Sequence, residues 1–572
     1  MKKLSTALLL TALAVDAHAQ ADRTHQLDIA WNRLYDYEGI TKLAERIQQT
    51  WPDRVSLQSI GKSYEGRDMW MLVVNEPATG DDRSKPAFYS DANVHGNEVQ
   101  GAETNLYLVW YLCEHYEELE QVRDLVDRVA FYVLLTVNPD GRAAWFREAN
   151  TASSQRAPRK PFDDDHDGEF DEDPYDDLDG DGHITWMRKK VERGTGTHKE
   201  HPDWPGLMVR VAPGEDDGDW VLLGAEGIDN DGDGRFNEDG PGYYDMNRNW
   251  PSSWNPNHLQ GGAGEYPLSH PETRAIAEFI LDHPNIAGVQ SFHNAGGMIL
   301  RGPGLAEYGQ YPRQDSRVYD AIGEEGEFML PFYRYMIIHK DLYSVAGGFV
   351  NWTAEGLGIF SFTNEMWSNK RMRQGDAPMS DVDRRRWDDR MTFGENYVAW
   401  KPYDHPFYGE IEIGGAKKMT GRVPPTWLIE EEAHRNAAFV AYHAGQMPDV
   451  ELVDLEVESA PGGMHYVDVT ARNSKLIPTR SQIAAEHAIG MPDRLTLRGD
   501  GIRVIAGGKP VDRWRPERID FVERDPATQR GETGVPSRGD WTVRWVVAGS
   551  GAFTIDFESE KATNRTIRGS ID

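Results

Sequence analysis

The chain has 572 residues, a formal net charge of −33, 39% hydrophobic and 10% aromatic residues, so it is long enough for two or more folded domains and too apolar to be disordered throughout. The acidic balance excludes nucleic acid and anionic membrane surfaces as partners, because phosphate binding needs a basic face; carboxylates gathered in short clusters point to cations instead. Cys113 is the single cysteine, which excludes an intramolecular disulfide, and its apolar surroundings read as those of a small buried hydrophobe.

Met1-Lys2-Lys3, an apolar run from Leu8 to Val15 and Ala17-His18-Ala19 have the form of a secretory signal cut after Ala19. Export to the periplasm or the medium is expected. No later run reaches the roughly 20 apolar residues of a membrane helix, so no membrane span is expected. Tyr35 to Ile47 reads as an amphipathic helix, followed by strands at Val55–Ile60 and Trp70–Val74 across the turn Tyr64-Glu65-Gly66. A strand over Ala87–Ser90 leads into Asp91-Ala-Asn-Val-His-Gly-Asn-Glu98. A helix follows at about Gly101–His115, then a near-continuous apolar strand, Val129–Val137, ending in the turn Asn138-Pro139-Asp140-Gly141. Strands alternating with helices, some apolar on both faces, predict an α/β domain with a mixed central sheet and helices on both faces.

From Phe162 to Tyr244 the composition becomes polar, acidic and Gly-rich. Asp163, Asp165 and Asp167 before Gly168 match Asp229, Asp231 and Asp233 before Gly234, each followed by an aromatic and further acids; Asp177, Asp179 and Asp181 form a shorter third copy. Alternate acids before a turn glycine wrap Ca²⁺, which takes six to eight oxygen ligands. The last acid falls one residue early for an EF-hand, so these loops resemble thrombospondin-type or dockerin-like calcium repeats. The α/β pattern then resumes with a helix near Glu272–Leu281, a strand Gly288–Phe292 ending at His293, a strand Gly358–Thr363 ending at Asn364-Glu365, and a helix over Leu428–Ala444. From Val450 short alternating strands, at Leu452–Val457, Tyr466–Val469, Trp541–Val547 and Phe553–Phe557, predict a small all-β sandwich.

His95 and Glu98 offer an imidazole and a carboxylate three residues apart, two of the three protein ligands a catalytic zinc keeps; alone, such a pair is weak evidence. His293, past another apolar strand and followed by Asn294-Ala295-Gly296-Gly297, is a candidate third. With Arg188, the run Asp245-Met246-Asn247-Arg248-Asn249-Trp250, Tyr343 with Gly347-Gly348, and Glu365, the ordered series from Tyr35 to Trp367 resembles the zinc carboxypeptidases of the carboxypeptidase A type, peptidase family M14. The resemblance implies a bacterial, exported metallocarboxypeptidase with zinc on His95, Glu98 and His293, and Asp245 orienting His95. It further implies Glu365 as general base and Arg188 stabilising the oxyanion, with Arg142 and Arg147 as competitors for the latter role. Asn247, Arg248 and Tyr343 would hold the substrate's terminal carboxylate, and Val350 would set side-chain preference, weakly favouring apolar or aromatic C-terminal residues. The expected organisation is a signal at 1–19, a catalytic domain at 20–446 with the acidic insertion at about 160–244, and a sandwich at 447–572 whose partner is unknown. Without room for an inhibitory prodomain, the protein is expected to act without proteolytic activation on peptides or proteins with a free C-terminus. The alternatives are a peptidoglycan peptide amidase or endopeptidase on the same scaffold, and a noncatalytic surface-binding protein.

Overall fold

The computed structural model describes residues 25–163, 166–373, 379–512 and 518–572. The expected signal at 1–19 and Asp165 of the first acidic loop lie outside them. At the centre is an eight-stranded mixed sheet in the order Val55–Lys62, Asp68–Val74, Ala130–Leu134, Ala87–Ala92, Ile286–Asn294, Phe360–Met366, Met298–Arg301, Arg334–Ile337. The four middle strands run parallel to one another, and three of them, Ala130–Leu134, Ala87–Ala92 and Ile286–Asn294, are buried along their whole length. Covering by helices on both faces explains why these strands are apolar without alternation.

Two apolar clusters flank the sheet. One joins Ile40, Leu106, Val318 and Phe439 from the helices Tyr37–Thr50, Gln100–Glu114, Arg313–Met329 and Ile429–Gly445; the other joins Ile276 and Ile280 of the helix Pro271–Asp282 to Trp250 and Phe349. The first helix shows how the sequence specifies such packing. Asp36 caps it by accepting from Gly39 N at 2.8 Å, and Ile40, Leu43, Ala44 and Ile47 form the buried stripe at helical spacing. Each large side chain so buried contributes about 1.5–3 kcal/mol, and Leu43→Ala would cost about 2–5 kcal/mol.

One expectation needs correction. Asn138-Pro139-Asp140-Gly141 is no free turn: Asn138 Oδ1 accepts from Gly141 N at 2.8 Å and Pro139 occupies the first helical position, so these residues open the helix Pro139–Arg147. The acidic stretch also carries strands. Its strands Trp186–Lys190, His198–His201, Trp204–Arg210 and Trp220–Ala225 join Tyr397–His405 and Gly409–Ala416 in a six-stranded antiparallel sheet.

Beyond residue 449 two antiparallel sheets, one of five strands and one of four, share a core in which Val467, Val543 and Trp545 meet Leu497, Ile555 and Phe557. This is the expected sandwich architecture. It touches the α/β part where Asp315 accepts from Gln482 N and Ile483 N, both at 2.8 Å, and where Lys561 Nζ donates to Ile286 O at 2.5 Å. Among the described residues no helix is long and apolar enough to cross a membrane.

Candidate active site

Three neighbouring parallel strands deliver their carboxyl ends to one place, the usual location of a site in such sheets. Ala87–Ala92 leads into the loop holding His95 and Glu98; His293 lies in Ile286–Asn294, and the register sets Glu365 of Phe360–Met366 directly beside it. Both therefore sit within strands, where the sequence reading had placed them just past strand ends. The loop after residue 92 is held by Asn93, whose φ is +62° and whose Nδ2 donates to His95 O at 2.6 Å. Gly96 is required there: a Cβ would lie 2.3 Å from Gln155 O, and Gly96 N donates to Arg156 O at 3.0 Å, which fastens Arg156 to the motif.

His95, Glu98 and His293 are all buried, at 3%, 2% and 2% exposure, and offer ligand atoms lying within 4.8 Å of one another. His95 Nε2 stands 3.0 Å from Asp245 Oδ1. A carboxylate only accepts, so Nε2 carries the proton and the lone pair is left on Nδ1. That Nδ1 is buried and, among the described residues, has no hydrogen-bond partner, although it lies 3.0 Å from Glu98 Oε1. His293 Nδ1 lies 3.0 Å from Glu98 Oε2. Two imidazole nitrogens and a carboxylate, one nitrogen orphaned in a dry pocket, match the donor set of a catalytic zinc. The residues present fit the metal.

Electrostatics favour the charged carboxylate at position 98. Burial acts to raise its pKa, but the imidazoles of His95 and His293 outweigh it and hold Glu98 well below the usual carboxylate range. Glu365 behaves oppositely: burial and then the charge of Glu98 push it up to about 7, which suits a group that must take and return a proton near neutrality. Arg156 and Arg422 act in the other direction on it.

These two arginines are the functional candidates that sequence reasoning missed. Arg156 Nη1 is 2.9 Å from Glu98 Oε1 and its Nη2 is 3.1 Å from Asp245 Oδ2. Arg422 Nη1 is 3.5 Å from Glu98 Oε1 and donates to Asn294 O at 3.2 Å. Arg188 is corrected accordingly. Its guanidinium is clamped between the indoles of Trp220 and Trp400, 3.9 and 4.3 Å from the ring centroids, and paired with Glu200 at 2.8 Å and Glu412 at 2.6 Å. An arginine so held is directed at these partners and away from His95 and Glu98. The competitors point elsewhere as well, Arg142 to Glu103, Asn93 and backbone carbonyls and Arg147 to Glu38.

Of the residues expected to hold a carboxylate, Asn247 is brought to the site, its Nδ2 3.4 Å from His293 Nε2 and its Oδ1 accepting from Phe349 N at 2.9 Å. Arg248 follows it in a short turn capped by Asp245, which accepts from Asn247 N at 2.8 Å. Gly347, at φ +63°, packs on this turn so closely that a Cβ would lie 2.2 Å from Arg248 O. Tyr343 opens that segment and is 52% exposed. Val350 is buried in the cluster containing Trp250 and Phe349. Of the acidic positions, Asp177, Asp179 and Asp181 form one group and Asp229, Asp231 and Asp233 a second, whereas Asp167 groups with Glu172 and Asp231 across two loops. Asp163 turns inward to its own loop, accepting from His166 N at 2.6 Å.

The chain matches the family model of the zinc carboxypeptidases over residues 40–194 and 230–387, and a domain of unknown function over 449–569. Carboxypeptidase M of Mus musculus is 33% identical over 109 residues, 19% of this chain and 25% of the relative. Carboxypeptidase B of Astacus astacus is 30% identical over 118 residues, 21% of this chain and 37% of the relative. The alignments thus span well under two thirds of these relatives. Among solved structures, thrombin activatable fibrinolysis inhibitor aligns with a TM-score of 0.45 at 16% identity, covering 74% of this chain and 76% of that one. The carboxypeptidase A of Helicoverpa armigera aligns with a TM-score of 0.44 at 16% identity, covering 75% and 78%. With the family model spanning more than half of the residues, and both histidines, Glu98 and Glu365 falling inside it, the chain belongs to the zinc carboxypeptidase family.

Proposed function

We propose that this protein is an exported zinc metallocarboxypeptidase that hydrolyses the C-terminal peptide bond of peptides or proteins. The observation that carries this reading is the register of Glu365 beside His293, within a pocket where His95 Nδ1 has a lone pair and no partner. Zinc, when bound by His95, Glu98 and His293, supplies a Lewis acid that polarises the scissile carbonyl and lowers the pKa of its water toward 7.

Glu365 takes the water proton as the oxygen attacks the carbonyl carbon, and returns it to the amide nitrogen as the C–N bond breaks. Arg156, tethered through its own backbone carbonyl to Gly96, stabilises negative charge on the former carbonyl oxygen, the role first considered for Arg188. Asn247 and Arg248 hold the terminal carboxylate, for which a planar guanidinium offers two parallel donors, and Tyr343 closes over it. Val350 contributes to the pocket for the last side chain through the packing of its short helix. A cavity of about 700 Å³ lined by Trp367, Met372, Trp387, Tyr397, Val423 and Trp427 adjoins Glu365 and Arg422 in the chain; we assign it to the residues preceding the scissile bond. Export rests on the charged start, short apolar run and Ala17-His18-Ala19, and a single cysteine agrees with a protein stabilised without disulfides.

Glu365→Gln is the test. It keeps the shape and the zinc ligands but removes the proton acceptor, so zinc content should stay near one per chain while turnover falls by at least about 10³-fold. Residual activity within tenfold of the parent would overturn the assignment.

A further inference from the structure

The stretch between Arg156 and Asp245 leaves the active site and returns to it, and its two long acidic loops are built alike. Asp163 accepts from His166 N and Gly168 N at 2.6 and 3.2 Å. Asp229 accepts from Gly232 N and Gly234 N at 2.6 and 3.1 Å. The loops meet through an antiparallel bridge in which Asp173 N donates to Asp239 O at 3.1 Å. Asp173 is fully used: it accepts from Asn230 N and Nδ2, both at 3.1 Å, and from Asn237 N at 2.7 Å.

Asp239, its counterpart, is not. It is 1% exposed, yet among the described residues neither carboxylate oxygen has a hydrogen-bond donor, and the same is true of both oxygens of Glu172. The two carboxylates face each other, and Glu172 in turn groups with Asp167 of its own loop and Asp231 of the other, ligand atoms within 4.8 Å. A buried carboxylate without a donor is strongly unfavourable, and setting a second carboxylate against it more so, unless a proton or a cation joins them. The donor set is oxygen only, which excludes the nitrogen and sulfur preference of zinc, and it is rich in carboxylates of flexible geometry, which favours Ca²⁺ over the strictly octahedral Mg²⁺. The third group, Asp177-Asp179-Asp181, differs because Lys401 stands 3.6 and 3.9 Å from Asp179 and Asp181.

We propose that Asp167, Glu172 and Asp231, with Asp239 set behind Glu172, form one composite calcium site that clasps the two acidic loops to each other. Neither loop closes the site alone; each supplies acids to a single ion. The clasp stands at the neck of a segment whose ends are Arg156 and Asp245, themselves paired at 3.1 Å beside the zinc ligands. Calcium therefore holds in place the arginine that faces Glu98. The effect on turnover rests on the carboxypeptidase reading, whereas the binding of calcium does not.

The test uses zinc-loaded full-length protein freed of calcium with a calcium-selective chelator. CaCl2 titrated into it calorimetrically should bind saturably with a Kd of about 10⁻³ M or tighter, the range of extracellular calcium modules, and should raise the thermal midpoint. Asp239→Asn and Glu172→Gln should each weaken that binding at least about tenfold, while Glu307→Gln, an exposed acid elsewhere, should leave it unchanged. Asp167→Asn, at an exposed position, provides the same comparison should those variants fail to fold. Absence of saturable binding up to about 10 mM, or parental affinity in every clasp variant, would overturn the site. Calcium binding with no change in hydrolysis of a free-acid peptide would overturn the coupling alone, and hydrolysis absent with calcium binding intact would count against the carboxypeptidase reading alone.

Discussion

Asp245→Asn perturbs the site at the atom level, and its consequence follows from hydrogen-bond bookkeeping. Asp245 Oδ1 meets His95 Nε2 at 3.0 Å and Asn247 N at 2.8 Å, while Oδ2 meets Arg156 Nη2 at 3.1 Å. All three neighbours are donors. An asparagine has one acceptor oxygen, so its amide group must face either Arg156 or the two donors on the other side; leaving Arg156 opposed is the smaller loss. His95 then keeps a neutral acceptor in place of a charged one, and the capping bond to Asn247 survives, so the fold should be retained. Weakening the partner of a zinc-bound imidazole costs about 10- to 100-fold in metal affinity, or about 1.4–2.7 kcal/mol. Displacing Arg156 should lower kcat/KM by about a further tenfold or more even at saturating zinc. Competition for zinc with a chromogenic chelator measures the first effect, and release of C-terminal residues at saturating zinc measures the second. Zinc affinity and kcat/KM both within twofold of the parent would refute the proposed link from Asp245 to His95 and Arg156.

Other outcomes follow from the same geometry. Arg156→Ala should reduce kcat/KM by about 10²–10³-fold, whereas Arg188→Lys should lower the thermal midpoint by breaking its pairs with Glu200 and Glu412 while leaving kcat/KM within about threefold; the reverse pattern would restore the role first considered for Arg188. His443, with both ring nitrogens unpartnered among the described residues and its ring 4.9 Å from Phe88 and 5.3 Å from Phe362, has its pKa pulled by burial down to about 3. The unfolded imidazole takes its proton near 6.5, so in between the unfolded state binds the extra proton and stability falls on acidification by about 1.4 kcal/mol per pH unit. Between pH 6.5 and 5, denaturant unfolding of the parent should lose about 2 kcal/mol more than that of His443→Leu; equal losses would refute the assignment. Trp387→Ala, removing an indole that stacks on Trp427 with centroids 6.0 Å apart, should raise KM for long peptides several-fold and leave acyl-dipeptides unaffected.

The parts of the site legible in the sequence are those encoded by contiguous residues. Buried parallel strands are apolar on both faces and end abruptly in polar residues, so the run before His95 and the strand carrying His293 announced both their sheet and its carboxyl edge. Asp245-Met-Asn-Arg-Asn-Trp250 was equally compact. What stayed hidden depended on contacts between distant segments. Arg156 has no local signature; its position is set by the hydrogen bond from Gly96 N and the absence of a Cβ there. Arg422 comes from a short turn outside the stretch matched to the family. The six-stranded sheet pairs Met187 with Ile413, and most of its strands are half-exposed with no clean alternation, so charged turns masked them as one loop. Arg188 drew attention through the family resemblance, yet Trp220 and Trp400 lie remote in sequence and only folding makes them its cage. The acidic repeat was visible as spacing, but that two copies bring their acids together could emerge only from the bridge between Asp173 and Asp239.

The central claim is that the pocket of His95, Glu98, His293 and Glu365 acts on the last peptide bond of a chain whose terminal carboxylate is free. It is tested most directly by giving the zinc-loaded protein two peptides identical except that one ends in a free acid and the other in an amide, and identifying products by mass. The account predicts stepwise loss of single residues from the free acid and at least about 100-fold slower reaction of the amide, since Arg248 and Asn247 then lose the charge they hold. Equal cleavage of both peptides, or cleavage at internal bonds, would contradict it.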